Sequence, residues 1–132
     1  MTRDQAGKIL FEDKVVAVLR LDDGAALRRA VLAIRAGGLR AIEITMTVPG
    51  AVDIIRALAA DRSLDVLVGA GTVLGSGAAR AVIDAGAAFV VSPVVDESVI
   101  ETCRERGVFV VPGAFSPTEI YRAWMSGADI VK

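Results

Sequence analysis

Gly127-Ala128-Asp129-Ile130-Val131-Lys132 reads as a helix-ending glycine followed by a short buried strand that carries one lysine at its carboxyl end. In an α/β fold, strand carboxyl ends face the crevice where ligands bind. An amine held there against apolar surroundings loses solvation, which disfavours its ammonium form and makes it a nucleophile able to form a Schiff base. A lone strand-end lysine is more often simply solvated. The chain upstream changes those odds.

The same phrase is written five times before it. After a short amphipathic helix from about Arg3 to Glu12, Val15-Val16-Ala17-Val18-Leu19-Arg20 is a continuous apolar run ending in a charge, as suits a parallel strand buried on both faces. Asp22-Asp23-Gly24 offers a turn and an N-cap before a helix over Ala25 to Ala36. Ala41 to Met46 is the second strand, and Pro49-Gly50 opens a helix running to about Ala60. Asp65 to Thr72 is the third strand, with a helix from Ala78 to Ala85 behind it. Phe89 to Pro93 is the fourth, followed by a helix capped by Asp96 and closed at Gly107. Val108 to Gly113 is the fifth, and Ser116-Pro117-Thr118-Glu119 starts the last helix with capping-box spacing and proline in its first turn.

Strand starts recur roughly every 19 to 26 residues, the rhythm of consecutive βα units. Such units build a parallel sheet with helices outside it, either as an open doubly wound sheet or as a closed (β/α)8 barrel of the TIM type. The chain, residues 1–132, is predicted to be one α/β domain holding six strands. Placement favours the barrel. Chemically unusual residues end nearly every strand: Arg20, Glu43 with Thr45 and Thr47, Gly71-Thr72, Ser92-Pro93, Pro112-Gly113 and Lys132. A barrel brings all strand ends to one mouth, whereas an open sheet uses only those at its switch point.

Composition narrows the chemistry. The sequence has no histidine, one cysteine and a formal net charge of −1. Ser-His-Asp and Cys-His systems are therefore excluded, a zinc site is disfavoured, and no metal or cofactor is expected. The mixed charges give no basic stripe for nucleic acid and no polybasic membrane patch. A polar N-terminus and a single Cys103 suit the cytoplasm.

Glu43 interrupts an otherwise apolar strand and shares a face with Thr45, opposite Ile42, Ile44 and Met46. A carboxylate on a buried face is costly unless paired or used. It reads either as the ionic partner of Arg20 or Lys132, or as a general acid–base with a raised pKa. Glutamate and lysine at one mouth suit Schiff-base carbon–carbon chemistry. Gly69-Ala70-Gly71-Thr72 lacks the third glycine of a dinucleotide fingerprint and the lysine of a P-loop. It reads as a tight turn, or as a close backbone approach at Gly71 with the Thr72 hydroxyl toward a small carboxylate. Arg20 offers the same carboxylate a guanidinium fork; the competing reading is a surface ion pair.

Six segments together resemble a known family. Val15 to Arg20, Ile42-Glu43-Ile44-Thr45, Val68-Gly69-Ala70-Gly71-Thr72-Val73, Val91-Ser92-Pro93, Val111-Pro112-Gly113 and Gly127 to Lys132 are similar, in order, to segments of bacterial 2-keto-3-deoxy-6-phosphogluconate (KDPG) / 4-hydroxy-2-oxoglutarate (KHG) aldolases. The resemblance implies a trimeric (β/α)8 class I aldolase that cleaves a keto acid to pyruvate and an aldehyde without a cofactor. It implies Lys132 as the Schiff-base lysine, Glu43 as the acid–base, and Thr72 and Pro93 in the pyruvate pocket. Where some members carry arginine this chain has Thr47, so Arg20 is the expected carboxylate anchor. Two further βα units and a phosphate-binding loop are expected beyond Lys132. Two alternatives keep the same motifs: a non-catalytic barrel scaffold and another phosphate-sugar enzyme of this fold, such as an isomerase.

Overall fold

The computed structural model describes residues 1–21 and 23–132; Asp22, within the turn expected before the second helix, lies outside them. Four of the helices begin where a side chain accepts first-turn N–H groups. Thr2 and Ser116 form capping boxes with Gln5 and Glu119, while Asp23 and Asp96 accept directly from backbone amides. The resulting order is α1 (Arg3–Asp13), β1 (Ala17–Leu19), α2 (Gly24–Ala36), β2 (Ala41–Thr45), α3 (Ala51–Ala60), β3 (Leu67–Gly71), α4 (Gly75–Asp84), β4 (Phe89–Ser92), α5 (Glu97–Glu105), β5 (Phe109–Pro112) and α6 (Pro117–Met125).

Every strand pair is parallel, and the sheet order is β1-β2-β3-β4-β5. A doubly wound sheet reverses its direction of growth at a switch point. Here each strand is laid beside its predecessor, the winding of a (β/α)8 barrel.

The sixth segment departs from expectation. Asp129 and Lys132 donate their N–H groups to the carbonyls of Val110 (3.1 Å) and Pro112 (2.9 Å), and the Lys132 carbonyl accepts from Ala114 (2.8 Å). Gly127–Lys132 thus runs beside β5, but it does not form a regular strand. The reason is Asp129: its Oδ2 accepts the Val110 N–H at 2.8 Å, the group a carbonyl of a regular ladder would take.

Strand side chains divide between two faces. Ile42, Ile44, Val68, Ala70, Val90 and Val110 pack beneath the helices, against Leu27, Val31, Ile55, Val82 and Ile100. Ala41, Leu67, Phe89, Val91 and Phe109 point the other way and meet Ala6 and Leu10 of α1. Helix α1 therefore covers the strand starts on the inner face, and it is tied down at both ends. Arg3 donates two bonds to Asp129 Oδ1 (2.9 and 2.6 Å); Asp13 accepts from the Arg40 backbone N–H (3.0 Å) and from its guanidinium. The Arg40 guanidinium holds the Asp13 carboxyl below its ordinary pKa.

The inner face is crowded beside Gly69, where an added Cβ would come within 2.3–2.4 Å of three carbons of the Phe89 ring. Gly69→Ala should destabilise the fold by about 1–3 kcal/mol, the usual cost of overpacking, measured by urea denaturation. Asp129→Ala strands both Arg3 and the Val110 N–H and should cost about 1–3 kcal/mol. Asp129→Asn, which keeps an acceptor for Val110, should cost less in the same measurement.

Candidate active site

Parity places Glu43 on the inner face with Ala41 and Thr45. Its register neighbours are Val18 on β1 and Gly69 on β3, and beyond Gly69 the same row continues into Phe89 and Phe109. The row is apolar apart from the carboxylate. Glu43 is only 9 % exposed, and burial raises its pKa above the ordinary glutamate value. The positive charges of Lys132 and then Arg20 pull it back down without cancelling the burial effect. No described residue hydrogen-bonds the carboxyl group, yet no fully buried side-chain oxygen is left unpartnered. Its oxygens therefore keep contact with solvent, at the carboxyl end of the sheet.

Lys132 reaches the same end from the other side. Ile130 packs with the inner-face cluster, and the charge of Lys132 acts on Glu43. Lys132 is exposed, on the segment that runs beside β5. Arg20, just past β1, is also exposed and makes no ion pair among the described residues. Its charge reaches Glu43 through space rather than through a fixed contact.

The threonines differ in their freedom. Thr45 is fully buried, and its hydroxyl lies 2.9 Å from that of exposed Thr47, so the two form a pair. Thr72 adopts φ +59°, a left-handed conformation that is a genuine outlier for a β-branched residue. It is held there by bonds on both sides: the Gly71 carbonyl accepts from Met46 N–H at 2.8 Å, and Val73 N–H donates to Val91 at 3.1 Å. Such strain persists where the surroundings over-determine it, and it gathers at functional sites. Pro93 is exposed, with its carbonyl packed against the bare Cα of Gly113.

Two readings of the glycine-rich exit of β3 change. At the N-terminus of α4 the Gly75 N–H donates to Asp96 Oδ2 at 3.1 Å, so a protein carboxylate already sits there. Gly71 meets a side chain: an added Cβ would overlap Oε1 and Cδ of Glu43 and lie 2.8 Å from its Cγ. Val18 and Phe89, which flank the carboxylate row, were passed over in the sequence. Their face was readable from parity, but the register that sets them level with Glu43 was not.

A cavity of about 420 Å³ lies at the opposite end of the sheet, lined by Arg35, Arg40, Arg62, Asp61 and Asp65 among others. It touches none of these residues, and its Arg35 and Arg40 are already paired with Asp65 and Asp13. Among the described residues no group of His, Cys, Asp and Glu converges to hold a metal ion. Cys103, on the buried face of α5, is fully buried, which pushes its thiol up to about 12.

A parallel sheet wound in barrel order, with a buried carboxyl group in the field of a lysine at the strand ends, defines a protein of the βα-barrel class. The chain belongs to the KDPG and KHG aldolase family, whose sequence model matches residues 7–132. It is 41 % identical over 118 residues to the 2-dehydro-3-deoxy-phosphogluconate aldolase of Treponema pallidum, covering 89 % of this chain and 54 % of that one. It is 34 % identical over 106 residues to the KHG/KDPG aldolase of Escherichia coli K12, covering 80 % and 48 %. Among solved structures it superposes with a TM-score of 0.85 and 26 % identity on the KDPG aldolase of Legionella pneumophila with pyruvate captured as a covalent carbinolamine, covering 95 % of this chain and 60 % of that one. The chain spans about half the length of the curated relatives it matches.

Glu43→Gln should separate the cost of the buried charge from that of its shape. A carboxyl with a raised folded pKa contributes stability that is full below its unfolded value, 4.5, and lost as pH rises through the folded one. The variant should therefore melt higher than the wild type near neutral pH, and the gap should close below pH 4.5. Melting curves across that range check this.

Proposed function

We propose that this protein is a class I aldolase that cleaves 2-keto-3-deoxy-6-phosphogluconate, 4-hydroxy-2-oxoglutarate or both to pyruvate and an aldehyde, through a Schiff base on Lys132. The observation that carries the reading is the buried, unpartnered carboxyl of Glu43, lying within the field of Lys132 at one end of the sheet. A carboxyl that burial pushes upward can both take and return a proton near neutral pH.

In this mechanism the Lys132 amine adds to the substrate ketone, giving a carbinolamine that loses water to become an iminium. Glu43 relays the protons of both steps. Its carboxylate then takes the proton of the C4 hydroxyl as the C3–C4 bond breaks, and the electrons flow into the iminium. An aldehyde leaves and an enamine remains. Glu43 returns the proton to the enamine carbon, and hydrolysis frees pyruvate and the lysine. Arg20 and the Thr72 hydroxyl are assigned to the substrate carboxylate, Pro93 and the Gly71 backbone to the pocket wall, and the Thr45–Thr47 pair to the floor beside Glu43. The covalent pyruvate in the Legionella relative supports the chemistry.

The proposal extends to a cytoplasmic homotrimer. Cys103 is a free, buried thiol, which suits a reducing compartment. On α6, Ile120, Tyr121, Trp124 and Met125 leave apolar surface for a neighbouring copy.

Incubation of the intact protein with pyruvate and borohydride should leave a stable adduct on Lys132, located by peptide mass mapping, and Lys132→Met should abolish it. Glu43→Gln should lower kcat for cleavage by about 10²–10⁴-fold, the usual share of a general acid–base. A folded wild type that forms no adduct would rule this function out.

A further inference from the structure

We infer that Gly71 is a positioning residue for the acid–base: its missing side chain is the seat in which the Glu43 carboxylate rests. Glu43 and Thr45 alternate with Ile42 and Ile44 on β2, and the residue in register with Thr45 on β3 is Gly71. The Glu43 side chain does not stand over its own register partner, Gly69. That space is filled by the Phe89 ring. It leans instead one step toward the strand ends, over Gly71, where an added Cβ would coincide with the carboxyl group itself.

The two glycines of Gly69-Ala70-Gly71 thus perform different tasks. Gly69 admits a ring whose place is fixed by packing, so a methyl group there strains the fold. Gly71 admits the far end of a flexible side chain, which can turn away from a methyl group at little cost to the fold. What such a methyl group would remove is position. It would push the carboxyl out of its seat toward the solvent at the strand ends, away from the apolar row that raises its pKa. The charged groups that act on Glu43 are Lys132, beside β5, and Arg20, past β1; neither is displaced by the change.

This inference rests on the proposed function for its catalytic consequence but not for its geometry, and the test separates the two. In Gly71→Ala, pyruvate should still be trapped on Lys132 by borohydride. Exchange of the pyruvate methyl protons with deuterated water should fall by about 100-fold, the scale of a 1 Å misplacement. The Glu43 titration, followed by carboxyl 13C NMR, should move down toward the ordinary glutamate value. In a Glu43→Ala background, Gly71→Ala should change neither the residual exchange nor the melting temperature further, since its effect runs through Glu43. An unchanged Glu43 titration, or equal losses in both backgrounds, would overturn the seat. If Gly71→Ala does not fold, the Glu43→Ala/Gly71→Ala double variant decides: folding supports the seat and failure to fold refutes it. Absence of trapping in the wild type would remove the proposed chemistry, and the titration would still judge the seat.

Discussion

A carboxyl group on the inner face of a parallel sheet has to find room among side chains that point the same way, and Glu43 finds it only because β3 has none at Gly71. The neighbouring row allows no alternative. Val18 and Phe89 hold the same level, and the Phe89 ring has already taken the gap over Gly69. One strand of small residues therefore accommodates two large groups from either side, a ring from β4 and a carboxyl from β2. The carboxyl is dry enough for its pKa to rise yet retains a route to solvent.

The rest of the fold keeps that row level. Helix α1 is anchored through Asp13–Arg40 to the start of β2 and through Arg3–Asp129 to the segment beside β5. These clasps lie beneath the strand starts, far from the strand ends where Glu43, Lys132 and Thr72 gather. The clasps and the Glu43–Lys132 pair thus occupy opposite ends of the sheet, the division expected of this architecture. Asp129 links the two: the aspartate that ties α1 to β5 lies three residues before Lys132 on the same segment, so the lysine's placement depends on a bond made at the other end.

The glycine-rich exit of β3 shows how one motif can serve packing inside the fold. Gly69-Ala70-Gly71-Thr72 has the look of an anion cradle, since it ends a strand and precedes a helix. In the fold its glycines make room for protein side chains, and the helix behind it is capped by Asp96. Thr72, which ends the motif, has a left-handed backbone held by the Gly71 and Val73 hydrogen bonds.

Much of this was legible in the residues themselves. Apolar runs closed by charges, glycines ending helices and capping residues starting them are local signals, and they mark the βα units wherever backbone propensity decides. Glu43 was conspicuous because a carboxylate among isoleucines is costly in any strand, and the six motifs in order pointed to the family. What required the tertiary structure was register. Alternation tells which face a side chain takes but not which residue lies beside it, so neither the Gly71 seat nor the Phe89 ring over Gly69 could be foreseen. The irregular path of Gly127–Lys132 was hidden for the same reason: it depends on Asp129 taking a backbone N–H from β5 and two bonds from Arg3. Such bonds join residues far apart in sequence, and only folding brings them within reach.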